Sequence, residues 1–139
     1  FVILNSYPGV GKFTVGQILS RTLPNAKLFN NHLLIDAAAA LYTREDPEFY
    51  TLRKALRTTV FDSLHSSMSA KLDAGEQPII IFTEAQSTSP KGSEVMQEYL
   101  QAARRLNIPL ISIILTCSSE ENERRLVGRS NNSNKTSTK

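Results

Sequence analysis

The stretch FVILNSYPGVGKFT, residues 1–14, decides how the rest of the chain is read. FVILN (1–5) is short, rich in β-branched and large apolar residues and free of polar alternation, the pattern of a strand buried on both faces. Pro8, Gly9, Val10 and Gly11 then break the chain, and Val15, Ile18, Leu19 and Leu23 recur at helical spacing until Pro24. A glycine-rich turn between a buried strand and an amphipathic helix is a place for phosphate. Glycines let successive backbone N–H groups converge, and a helix N-terminus adds partial positive charge.

SYPGVGKFT (6–14) departs from the phosphate-loop pattern G-x-x-x-x-G-K-[ST] at both ends. Ser6 stands where the first glycine belongs, and Phe13 where a hydroxyl would reach magnesium. The neighbouring Thr14 lies about 100° further round the helix and does not reach the same point. Gly9, Gly11 and Lys12 keep the donors. Phosphate binding is therefore expected, with the metal held less directly.

The same strand and helix alternation continues outward. KLFN (27–30) reads as a second strand, and Asn31 as the N-cap of a helix over NHLLIDAAAALY (31–42), which is expected to be well buried. Asp46-Pro47 opens a long helix with a stripe of Phe49, Leu52, Leu56, Val60, Phe61, Leu64, Met68 and Leu72, ending near Gly75. PIIIF (78–82) is the third strand, Ser89-Pro90 starts a helix reaching Leu106, and PLISIILT (109–116) is a fourth buried strand. Ser118 and Glu121 form a capping box for a last helix. Repeated strand and helix units predict an α/β three-layer sandwich with a parallel sheet.

Composition agrees with one globular domain, residues 1–129, followed by a disordered tail, 130–139, that has no apolar periodicity. The formal charge of +3 draws on Lys135 and Lys139 in that tail, so the basic balance predicts no nucleic-acid partner. A single cysteine, Cys117, excludes an internal disulfide and fits a reducing, cytoplasmic setting. No apolar run nears the roughly 18 residues of a membrane span.

YPGVGKFT resembles the loop of small-molecule and nucleotide kinases of the P-loop superfamily, usually G-x-P-G-x-G-K-[ST]-T. It is similar in particular to kinase-like ATPases with GKLT at this place, related in shape to shikimate, adenylate and chloramphenicol kinases. FNNHLLID (29–36) resembles their HNH segment. The resemblance implies a strand order 2-3-1-4 with the fifth strand missing, since the chain ends within the lid. It implies that Pro8 to Thr14 hold ATP, with Gly9, Gly11 and Lys12 on the β- and γ-phosphates and Thr14 on the α-phosphate. Glu84, one residue later than the usual acid, would help hold Mg2+, and Arg125 and Arg129 would clamp the transferring phosphate from the lid.

The acceptor would sit near Asn31, His32 and Asp36. His32 and Asp36, four apart, either bind or deprotonate a hydroxyl or form a local pair beside the cap. Arg53 and Arg57 are spaced to bind an anionic acceptor, yet charges opposite an apolar stripe usually face water, and that reading is preferred. The expected function is ATP-dependent phosphoryl transfer to a small molecule. The alternative is a nucleotide-binding interaction or regulatory module without catalysis.

Overall fold

The computed structural model describes residues 1–133, with side chains described to residue 128. Its elements are β1 (Val2–Asn5), α1 (Lys12–Thr22), β2 (Ala26–Asn30), α2 (His32–Ala39), α3 (Pro47–Asp73), β3 (Ile79–Glu84), α4 (Pro90–Arg105), β4 (Ile111–Ile114) and α5 (Ser119–Ser133). The expected tail begins inside α5, whose backbone runs on to Ser133; residues 134–139 lie outside the described residues.

All strand pairs are parallel, in the order β2-β3-β1-β4. The register sets Ile3 beside Phe82 and Leu4 beside Thr83. Successive residues of a strand face opposite sides, and the two sides of the sheet are covered by different helices. On one side Phe61 and Met68 of α3 and Tyr99, Ala102 and Ala103 of α4 pack on Phe1, Ile3, Ile80 and Phe82. Phe82 sits at the centre, edge-on to Phe1, Phe29, Phe61 and Tyr99 with centroid separations of 5.0–6.1 Å. On the other side Gly16 of α1 lies against Leu28 and Leu4. This is the expected three-layer α/β sandwich.

Three local expectations are corrected. Helix α2 buries only Leu34 and Ala38, and Leu33 and Leu41 are exposed, because the helix rests on α3 at the rim of the sheet. Strand β4 is exposed along its length, with Ile111 and Ile114 largely accessible, because it is the outer strand of the sheet. Ile18, placed in the α1 stripe, is also exposed, and Gly16 takes the buried position.

Helix starts follow the predicted signals, with different chemistry. Ser89 Oγ accepts from Gly92 N at 3.2 Å and Ser118 Oγ from Glu121 N at 3.2 Å, both as N-caps. Asp46 instead turns back to accept from Thr43 N and Oγ1, leaving Pro47 to start α3 without a side-chain cap. Among the described residues no helix is long and apolar enough to cross a membrane.

The turn before α4 gives a stability test. A Cβ on Gly92 would stand 2.1 Å from the Ser87 carbonyl oxygen, a backbone atom that cannot swing aside. Gly92→Ala is expected to cost about 2 kcal/mol, within the range for overpacking, read as a lower urea midpoint. An unchanged midpoint would contradict this path for residues 87–92.

Candidate nucleotide and acceptor site

The loop leaves the C-terminal end of β1, at the centre of the sheet, and enters α1. Gly9 and Gly11 have φ of +89° and +111°, conformations that side-chain-bearing residues rarely adopt. Gly11 ends the loop and its carbonyl takes the first helical bond, from Val15 N at 3.0 Å. Ser6 is buried, is anchored by its N–H to the Glu84 carbonyl at 3.2 Å and is not among the positive-φ residues. The glycine of the pattern is therefore dispensable here, since the position needs no left-handed backbone.

Lys12 opens α1, and its Nζ turns back over the loop. It donates to Ser6 O at 2.8 Å, Ser6 Oγ at 3.1 Å and Tyr7 O at 3.0 Å. The ammonium is thus held over the first residues of the loop. Phe13 is exposed and points a ring, not a hydroxyl, out of the first turn.

Helix α5 closes on the loop from the other side. Arg125 Nη1 donates to the Val10 carbonyl at 2.7 Å, and its Nε is paired with Glu121, which also accepts twice from Arg124. Those guanidinium bonds hold the Glu121 carboxyl down at about 2. Leu126 lies over Gly9. The expected lid arginine Arg125 therefore reaches the loop; the side chain of Arg129 lies outside the described residues.

A cavity of about 500 Å3 opens between the loop and the ends of β2 and β3. Its wall includes Pro8, Gly9, Gly11, Lys12 and Phe13 from the loop side, and Asn31, His32, Arg53 and Glu84 from the facing side. Asp36 is exposed and does not form part of that wall. Of this pair, only His32 lies in the cavity wall.

Asn31 does not cap α2 with its side chain. It is buried, its Nδ2 donates to Glu84 Oε2 at 2.9 Å, and its backbone N–H donates to Thr83 Oγ1 at 3.2 Å. Glu84 is fully buried, and Oε2 also accepts from Gln86 Nε2 at 2.7 Å while Oε1 accepts from Tyr99 Oη at 2.5 Å. Burial first, then the Glu84 charge and hydrogen bond, push the Tyr99 phenol well above its ordinary range.

The two arginines of α3 part company. Arg57 was expected to face water, but it is buried and its Nε donates to Glu98 Oε2 at 2.6 Å, bracing α3 against α4. Arg53 lies in the cavity wall, stacked over the Phe49 ring at 5.6 Å, with Nη2 donating to Asn31 Oδ1 at 3.4 Å. Burial lowers its guanidinium pKa. Sequence reasoning missed Arg44, Tyr50 and Gln86 in the same wall, and missed Tyr99. The one available signal was Gln86, two residues past Glu84 and so on the same side of an extended chain.

A family model described as AAA domain matches residues 2–139. The chain belongs to this AAA domain family. Its P-loop NTPase-like character agrees with the strand, loop and helix geometry above. No curated protein matches the sequence. Among solved structures, a chain in "Structure of Pnkp1/Rnl/Hen1 complex" superposes with a TM-score of 0.61 at 17% identity, covering 89% of this chain and 38% of that one. A chain in "Structure of the Pnkp1/Rnl/Hen1 RNA repair complex" gives 0.59 at 18% identity, covering 92% and 36%. "Crystal structure of APE1195" gives 0.56 at 19% identity, covering 99% and 72%. At these identities the likeness is one of fold, and this AAA domain spans under two-fifths of the length of the first two chains.

P-loop NTPase-like domains generally bind a nucleotide together with magnesium, and the side chains present here do not make a direct magnesium ligand set. Phe13 carries no oxygen, and the Glu84 carboxylate already accepts from three protein donors. Among the described residues no group of three His, Cys, Asp or Glu is disposed around a common point. Glu84, the acid expected to help hold the metal, here ties the start of α2 and helix α4 to β3 beneath the cavity.

Proposed function

We propose that this AAA domain binds ATP on the loop 6–14 and transfers its γ-phosphate to a small molecule seated in the adjoining cavity. One observation carries the reading: Lys12, the glycine loop, His32 and Arg53 all line the same 500 Å3 space. A donor site and an acceptor wall sharing one cavity is what phosphoryl transfer requires, because its catalysis is mostly positioning and electrostatics.

In the proposed reaction the acceptor hydroxyl oxygen attacks the γ-phosphorus, the bond from that phosphorus to the bridging oxygen breaks, and ADP leaves. His32 takes the hydroxyl proton. Lys12 and the loop amides stabilise the charge that develops on the phosphoryl oxygens. Arg125 exchanges the Val10 carbonyl for a phosphate oxygen.

A second reading, a nucleotide-binding module without catalysis, is favoured by Phe13 and by the engaged Glu84. ADP release from ATP, with and without candidate acceptors in magnesium buffer, separates the two. Acceptor-dependent ADP release that falls at least tenfold in His32→Ala is expected. ATP binding without any acceptor-dependent release would overturn the kinase reading and leave the binding module.

A further inference from the structure

Resting on the ATP-binding half of that reading, we infer that Phe13 makes nucleotide binding at this loop indifferent to magnesium. The triphosphate is held by protein cations and loop amides, and a divalent ion adds no affinity. Phe13 stands in the first turn of α1, at the position from which a hydroxyl would reach the ion, and its half-exposed ring forms part of the cavity wall. A phenyl ring offers no oxygen to magnesium and no acceptor to the waters that the ion keeps.

The end of β3 is the second place from which an oxygen could serve, and its oxygens are engaged. Thr83 is buried, with Oγ1 donating to Asn30 Oδ1 at 2.9 Å and accepting from Asn31 N at 3.2 Å. Glu84 is fully buried, and both of its carboxylate oxygens accept from protein donors. An ion or its waters would compete there with buried hydrogen bonds, and a buried donor that loses its acceptor is costly. Neither end of the site therefore favours the metal complex over the bare nucleotide.

The local charge points the same way. Lys12, Arg44 and Arg53 stand in the cavity wall, whose only acid among the described residues is Glu84, and Arg125 reaches the loop from α5. The site is thus net positive. Magnesium cancels negative charge on the triphosphate, and a net-positive site is attracted by the very charge that the ion would cancel. What the ion contributes elsewhere as a bridge between phosphate and side chain has no oxygen here to complete it, since Phe13 occupies that place.

The test is calorimetric titration of the full chain with ATP, in excess magnesium and in EDTA at matched ionic strength, for the parent and for Phe13→Ser. The parent is expected to bind ATP in EDTA at least as tightly as in magnesium, to within about twofold. Phe13→Ser, which places a hydroxyl in the first turn, is expected to bind about tenfold tighter with magnesium than without, the scale on which residues of a metal site act. A larger preference for magnesium in the parent overturns the inference whatever the variant does, so the test stands even if Phe13→Ser fails to fold. A folded Phe13→Ser that is as indifferent as the parent also overturns it. A parent that binds ATP in neither buffer overturns the nucleotide-binding reading, and the inference with it.

Discussion

Lys12→Ala is expected to lower ATP affinity at least about 100-fold in a calorimetric titration. A lysine ammonium on phosphate oxygens makes charge-assisted hydrogen bonds, about twice the strength of neutral ones, in a site partly shielded from water. Two such bonds at about 1.5 kcal/mol each come to the roughly 3 kcal/mol that 100-fold represents. The substitution also removes the three bonds by which Nζ ties Ser6 and Tyr7 to the first turn of α1. A thermal melt of the variant separates the two effects, because those contacts are part-buried or exposed and their loss is expected to shift Tm by only a few degrees. Wild-type affinity in Lys12→Ala would mean that nucleotide is held elsewhere.

Glu84→Ala is expected to destabilise the fold by about 3 kcal/mol. Removing the carboxylate leaves Tyr99 Oη and Asn31 Nδ2 buried without an acceptor, at about 1–3 kcal/mol for each such group. Relief of the buried charge offsets part of that sum. Glu84→Gln keeps one acceptor oxygen, and the Tyr99 oxygen can accept from the new amide, so about 1 kcal/mol is expected there. Urea denaturation distinguishes them, and equal losses in the two variants would contradict the hydrogen-bond account.

The same network gives a pH dependence. Tyr99 has its pKa raised in the folded state, so its contribution is fully present below the unfolded value of about 10 and is lost as pH rises through the folded one. Alkaline destabilisation beginning near pH 10 is expected in the parent and absent in Tyr99→Phe.

Much of the architecture was legible because its signals are local. Pro47, Pro90, Ser89 and Ser118 mark helix starts by the conformations and capping bonds they allow, and the loop is written in Gly9, Gly11 and Lys12. The strand order was legible only through resemblance to kinases, since nothing local says which strands are neighbours. What escaped depends on partners far along the chain. Arg57 looked like a solvated charge because its partner, Glu98, lies on another helix. The hydrogen bonds that engage Glu84 escaped because Tyr99 and Asn31 come from α4 and from the start of α2. The apolar run of β4 looked like a buried strand because edge position is a property of the whole sheet.

The central claim is that the loop 6–14 is a working phosphate site despite Ser6 and Phe13. Calorimetric titration of the full chain with ATP tests it most directly. One ATP per chain, with the heat lost in Lys12→Ala, is the predicted result; a folded chain that binds no nucleoside triphosphate would contradict it.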